Sequence, residues 1–204
     1  MTLKSVTLVH YLFLFMLQKI VFIVLFLTSF WVSAQNEQLA LQYFDDGEFE
    51  KALTIFEENL QKQPSNYFFF QKVIECRQQL KQYDKAEEVI LKRKEKYNQP
   101  ILLVELGYNY QLQKNEIEAK KQYDLALLEV EKQANHAYQV ASSFEKKVLL
   151  DWAIKTYETA QKVNPNLNFD YQTALLQGQL GNLDLMLEKL LDYGYKNQEN
   201  TALV

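Results

Sequence analysis

The chain has 204 residues, 48% apolar and 14% aromatic, a composition too rich in core-forming side chains for a disordered protein. Its 22 basic and 26 acidic residues leave a net charge of −4, and the absence of a basic stripe excludes ordinary nucleic-acid binding. A lone cysteine, Cys76, excludes an internal disulfide, while only five glycines and three prolines suit long helices joined by tight corners.

Residues 1–34 differ in character from the rest. They hold Lys4 and Lys19 and no acid, so the rest of the chain is more acidic than the whole. Ile20 to Val32 is a run of 13 uncharged residues, short for a bilayer span. It is preceded by Lys19 and followed by Val32-Ser33-Ala34, which predicts a secretory leader cut between Ala34 and Gln35. A second apolar stretch, Val6 to Leu17, lies upstream, and a translation start at Met16 would reduce the whole to one compact leader. The competing reading joins residues 6–32 into an uncleaved membrane anchor, in which Lys19 near mid-span costs roughly 3 kcal/mol. The first reading makes the protein exported, periplasmic or secreted; the second keeps it membrane-anchored. No cysteine follows the apolar run, so lipid attachment at a lipoprotein-type cleavage site is excluded.

From Asn36 onward the chain repeats itself. Asn36 to Asp46 is predicted to be a helix with Leu39, Ala40 and Tyr43 on one face, Gly47 breaks it, Phe49 to Lys62 forms a second helix, and Pro64 closes the unit. Three columns then return in step. Ala40, Ile74, Gly107, Ala141 and Ala174 recur at intervals of roughly 34 residues. The same intervals separate Ala52, Ala86, Ala119, Ala153 and Met186, and again Phe56, Ile90, Tyr123, Tyr157 and Leu190. A small residue lets the paired helix approach closely and a bulky one fills the space beside it. Such a period predicts an all-α, stacked helical array rather than a globular enzyme. The repeats run approximately over 35–66, 67–99, 100–133, 134–166 and 167–194, followed by a polar tail over 195–204.

Leu39-Ala40-x-x-Tyr43, Gly47, Ala52-x-x-x-Phe56 and Pro64 resemble the tetratricopeptide motif, and two further repeats resemble it again. These are Leu106-Gly107-x-x-Tyr110 with Ala119-x-x-x-Tyr123, and Val140-Ala141-x-x-Phe144 with Ala153-x-x-x-Tyr157 and Pro165. The resemblance implies a right-handed superhelical solenoid of about five helix-turn-helix repeats. Departures from the motif are Ile74 and Arg77 in the second repeat, Lys147-Val148-Leu149-Leu150 at a corner without glycine in the fourth, and Gln177 and Met186 in the fifth. The last helix, with Leu187, Leu190 and Leu191, has no polar capping helix after it before KNQENTALV. Truncation, continuation in a larger parent, or self-association through this uncapped repeat each account for that.

No catalytic signature is present. His136 is the one histidine after the leader, and neither it nor Cys76 has metal-ligand spacing; there is no phosphate loop, HExxH or GxSxG. Cys76 is predicted to be a buried, inert thiol. The adjacent acidic pairs diverge on a helix, and Lys92-Arg93-Lys94-Glu95-Lys96 reads as the basic end of one. No cofactor, metal or catalytic residue is therefore expected.

The resemblance also implies that the first helix of each repeat lines a concave groove. The positions one after the small column are Leu41, Glu75, Tyr108, Ser142 and Leu175, and those three before it are Glu37, Gln71, Val104, Tyr138 and Tyr171. With Gln78, Gln111 and Gln172 they make a surface rich in tyrosine and amide groups, suited to a peptide or protein partner. The candidate partner residues are Gln71, Glu75, Gln78, Tyr108, Gln111, Tyr138, Ser142 and Tyr171. Lysine, arginine and asparagine are missing from these positions, so a clamp for a peptide carboxylate is not expected. The leading expectation is a non-catalytic extracytoplasmic scaffold for protein or peptide partners. The alternative is the amino-terminal sensory or regulatory segment of a larger envelope protein.

Overall fold

The computed structural model describes residues 15–19, which are helical, and 36–196. The expected leader cleavage at Ala34–Gln35 and the end of the polar tail lie outside these residues. No described helix is long and apolar enough to cross a membrane.

Residues 36–196 form helices and turns, with no strand among the described residues. In order they are α1 (36–45), α2 (Phe49–Lys62), α3 (Tyr67–Gln79), α4 (Tyr83–Tyr97), α5 (Ile101–Leu112), α6 (Glu116–Lys132), a single 3₁₀ turn (Ala134–His136), α7 (Ala137–Lys146), α8 (Leu150–Val163), α9 (Asp170–Gln179) and α10 (Leu183–Lys196). Two helices per predicted repeat is the expected pattern, and α2 spans the predicted residues. The chain divides into two compact units, residues 1–81 and 82–204, so the sequence repeat at 67–99 contributes α3 to one and α4 to the other.

In the first unit α1 and α2 make a hairpin onto which α3 packs. Phe44 meets Phe49 edge-on with ring centroids 5.4 Å apart, and Phe56 meets Phe68 at 6.2 Å. Asn66 caps α3, its side-chain oxygen accepting from the backbone N–H of Phe68 at 3.0 Å. Arg77, the departure from the aromatic column, is accommodated by an ion pair with Glu57 on α2. Its neighbour Cys76 is fully buried, and burial beside Glu75 pushes the thiol up to about 12, so it is inert.

The second unit stacks hairpins α5–α6 and α7–α8 so that α5 lies against α7 and α6 against α8, with α4 on α5, α9 on α8 and α10 on α9. The columns read from sequence are its core: Ala86, Ala119, Ala141, Ala153 and Ala174 are buried, as are Ile90, Tyr123 and Tyr157. Gly107 shows what the small column is for. A Cβ there would sit 2.3 Å from Cε1 of Tyr123, so the Tyr123 ring occupies the volume of the missing methyl group. Tyr123, Phe144 and Trp152 then form one aromatic cluster across two hairpins, with Tyr123–Phe144 at 5.2 Å and Phe144–Trp152 stacked at 5.9 Å.

Two features of this unit are invisible in the motif. Glu105 on α5 is buried and receives Lys147 from the α7–α8 corner, with Nζ 2.9 Å from Oε2 and 3.0 Å from Oε1, while Ser143 donates at 3.4 Å. Arg93 belongs to the basic end of α4, as read, and is also buried with its guanidinium 4.8 Å above the ring of Tyr97, one turn along the helix.

The turn that follows the first helix of each repeat has one backbone conformation in common. Gly47, Lys81, Lys114, Val148 and Gly181, which recur at the repeat spacing, all have positive φ, between +57° and +82°. The next residue donates its N–H back across the corner, as in Glu48 to Tyr43, Asn115 to Tyr110, Leu149 to Phe144 and Asn182 to Gln177. Glycine is expected where φ is positive, and three of the five positions manage without it. Val148 is the most strained of them, because a β-branched side chain resists the left-handed region.

The pair α9–α10 is packed differently. Tyr171 meets Tyr193 at 5.5 Å, but Leu183, Leu187, Leu191 and Tyr195 on α10 are 59%, 54%, 67% and 86% exposed. Spaced four apart, they form an apolar stripe facing away from α9.

Candidate functional site: a tyrosine-walled cleft between α7 and α9

On α7, Tyr138, Ser142 and Glu145 lie on one face, spaced four and three residues apart. On α9 the corresponding face presents Tyr171, Gln172, Leu175, Leu176 and Gln179. Between these faces is a cleft of about 280 Å³, with Tyr157 of α8 completing its wall. Tyr138 is 62% exposed and stands at the mouth, whereas Tyr157 is buried.

Glu145 is the polar centre of the cleft. The Tyr157 hydroxyl donates to its Oε1 at 3.1 Å, and no cation pairs with the carboxylate among the described residues. Burial, with Glu145 alongside, raises the Tyr157 pKa well above the usual tyrosine value, so the hydroxyl stays protonated and remains a donor. One carboxylate oxygen is thereby oriented by the protein and the other is left to whatever enters. Ser142, Gln172 and Gln179 add neutral hydrogen-bonding groups, and the tyrosines with Leu175 add apolar area.

The structure brings three of the eight candidate partner residues, Tyr138, Ser142 and Tyr171, into this cleft. The other five are placed elsewhere. Tyr108 is half-buried with the Lys147 ammonium 5.0 Å above its ring. Gln111 accepts the Tyr123 hydroxyl at 2.7 Å, which commits its carbonyl oxygen to the fold. In the first unit Gln78 is buried, Gln71 is half-buried, and Glu75 pairs with Lys72 at 2.7 Å. Val104, assigned to the groove by position, is fully buried, because the α5 surface there packs inward.

Sequence reading missed Glu145, Tyr157 and Gln179. For Glu145 the signal was present: Gln78, Gln111 and Glu145 occupy one register in successive repeats. Tyr157 was assigned to packing alone, a role that does not reveal its hydroxyl. Among the described residues no group of histidine, cysteine, aspartate and glutamate could hold a metal ion. The cleft offers one carboxylate, hydroxyls and amides, groups that can donate hydrogen bonds to a ligand and accept them from it.

No family model matches the chain, and no curated protein matches it. Solved structures do. It is similar to a thermophilic TPR protein of Thermus thermophilus, TTC0263, at 16% identity over 84% of this chain and 94% of that one, with a TM-score of 0.44. The MamA protein is similar at 15% identity over 83% and 94%, TM-score 0.40. PcrH, solved in complex with the chaperone binding region of PopB, is similar at 18% identity over 55% and 91%, TM-score 0.44.

Proposed function

We propose that the protein is a non-catalytic, extracytoplasmic scaffold that holds a peptide or protein partner against the first helices of its repeats, with the α7–α9 cleft as the central contact. The observation that carries this reading is the convergence of Tyr138, Ser142 and Tyr171, from two successive repeats, on one open cleft. Tyrosines supply contact area at low entropic cost, and the neutral hydrogen-bonding groups around them match a peptide backbone. Export rests on the leader at residues 1–34 and its Ala34–Gln35 junction. Panning a displayed random-peptide library over the immobilised protein tests the binding role. Wild type should retain a defined set of peptides, and a Tyr138→Ala/Tyr171→Ala variant with an unchanged circular-dichroism spectrum should lose them. Equal retention by both proteins would remove the cleft from the account.

A second reading is favoured by the stripe Leu183, Leu187, Leu191 and Tyr195. In it the array is the front part of a larger envelope protein, and a further helix of that protein covers α10. Supplying a synthetic following helix in trans should then raise the thermal midpoint, and Leu187→Glu should abolish the gain. No shift on addition would count against it.

A further inference from the structure

The reading of the cleft as a peptide site leaves open what kind of side chain it selects, and the electrostatics of its wall narrow that choice. Glu145 is the one carboxylate lining it, alongside Tyr138, Tyr157 and Tyr171, and no lysine or arginine lines it. The two cations next along α7 are otherwise placed: Lys147 is committed to Glu105 and Lys146 is exposed. Tyr157 holds one oxygen of Glu145 by donating to it, which fixes the carboxylate without neutralising its charge. A carboxylate held by one hydroxyl donor, with no cationic partner among the described residues, is an open acceptor for an incoming cation.

We infer that the α7–α9 cleft is a receptor for an arginine side chain of the bound peptide, with Glu145 as the anionic contact and the tyrosines as its walls. This rests on the peptide-binding reading above. A guanidinium fits better than an ammonium. It is planar, so it packs against tyrosine faces, and its several N–H donors match Glu145, the Ser142 hydroxyl and the side-chain oxygens of Gln172 and Gln179. A volume of about 280 Å³ accommodates one long side chain rather than a helix.

The repeat itself provides the control. Gln111 stands where Glu145 stands, one repeat earlier, and accepts the equivalent hydroxyl from Tyr123. Glu145→Gln therefore keeps an acceptor for Tyr157 and removes only the charge. The probes are four fluorescent peptide pools, random except for a fixed central arginine, lysine, glutamine or glutamate, titrated by anisotropy against the full chain. Wild type should bind the arginine pool roughly tenfold more tightly than the glutamine pool, with lysine between them and glutamate weakest. Glu145→Gln should bind the arginine and glutamine pools alike. Equal binding of arginine and glutamine pools by wild type would overturn the inference and leave the peptide-binding role standing. An arginine preference that survives Glu145→Gln would overturn it too, because the selecting charge would lie elsewhere. Binding of none of the pools would overturn both.

Discussion

The hairpins α5–α6 and α7–α8 are built to one plan and differ in what the plan exposes. In each, a tyrosine on the second helix donates across to a side chain twelve positions earlier on the first: Tyr123 to Gln111, and Tyr157 to Glu145. The small column lets such a ring lie against the facing helix. Gly107 does so for Tyr123, and the equivalent position in the later hairpin is the buried Ala141. The earlier hairpin ends with a neutral amide absorbed into the fold. The later one ends with a carboxylate opening on a cleft. A repeat conserves geometry while a single substitution changes which chemistry reaches the surface, so periodicity locates positions without naming their function.

The sharpest way to break the comparison is at the contact tying the two hairpins together. Lys147→Met leaves Glu105 buried without its cation and should cost about 3–5 kcal/mol by urea unfolding, whereas the double change with Glu105→Met should recover most of that loss. Next comes the small column. Gly107→Ala should destabilise by roughly 1–3 kcal/mol despite alanine's better helix propensity, because Tyr123 is held by Gln111 and cannot yield freely. Ala141→Gly, the reciprocal change, should cost only about 1 kcal/mol, since it opens space and adds no clash.

Smaller effects sharpen the picture at the hydroxyls and corners. Tyr123→Phe and Tyr157→Phe should each cost about 1 kcal/mol, and only the second should alter peptide binding. Val148→Gly should stabilise by about 1 kcal/mol, because Val148 is 77% exposed and its left-handed φ is free of strain for glycine. Lys114→Gly at the equivalent corner should stabilise less, since lysine is unbranched at Cβ. Alkaline titration gives a further check. Burial raises the pKa of Tyr110 to about 12, and those of Tyr123 and Tyr157 move in the same direction. The folded state holds these protons more tightly than the unfolded chain. Their contribution is therefore complete below the ordinary tyrosine pKa near 10 and should fade as pH rises toward 12, visible as a late phenolate absorbance transition.

Much of the fold was legible in the sequence because apolar spacing determines it. Ala40, Ala52 and Phe56 were assigned to packing and are fully buried, and the bounds of α2 followed from Gly47 and Pro64. Where one residue could serve two masters, reading failed. Val104 sits in the groove register and packs inward. Arg93 lies at the basic end of α4, as read, but its burial against Tyr97 was not legible. Lys81, Lys114 and Val148 hold a corner normally marked by glycine, so composition hid a column that only φ reveals. Glu105 and Lys147 lie far apart in the chain, on different repeats, and no local pattern pairs them. The cleft was half legible: the tyrosines stood out by type, whereas the significance of Glu145 depends on which cations reach it.

The most direct test of the account is site-specific photo-cross-linking to the peptides retained in panning. A benzophenone amino acid would replace Ser142 inside the cleft or, as the control, the exposed Glu158 on α8. The account predicts cross-linked peptide from position 142, competed away by excess unlabelled peptide, and none from position 158. Equal or stronger cross-linking from 158 would contradict it, placing the partner on the second helices and leaving the α7–α9 cleft as a feature of packing.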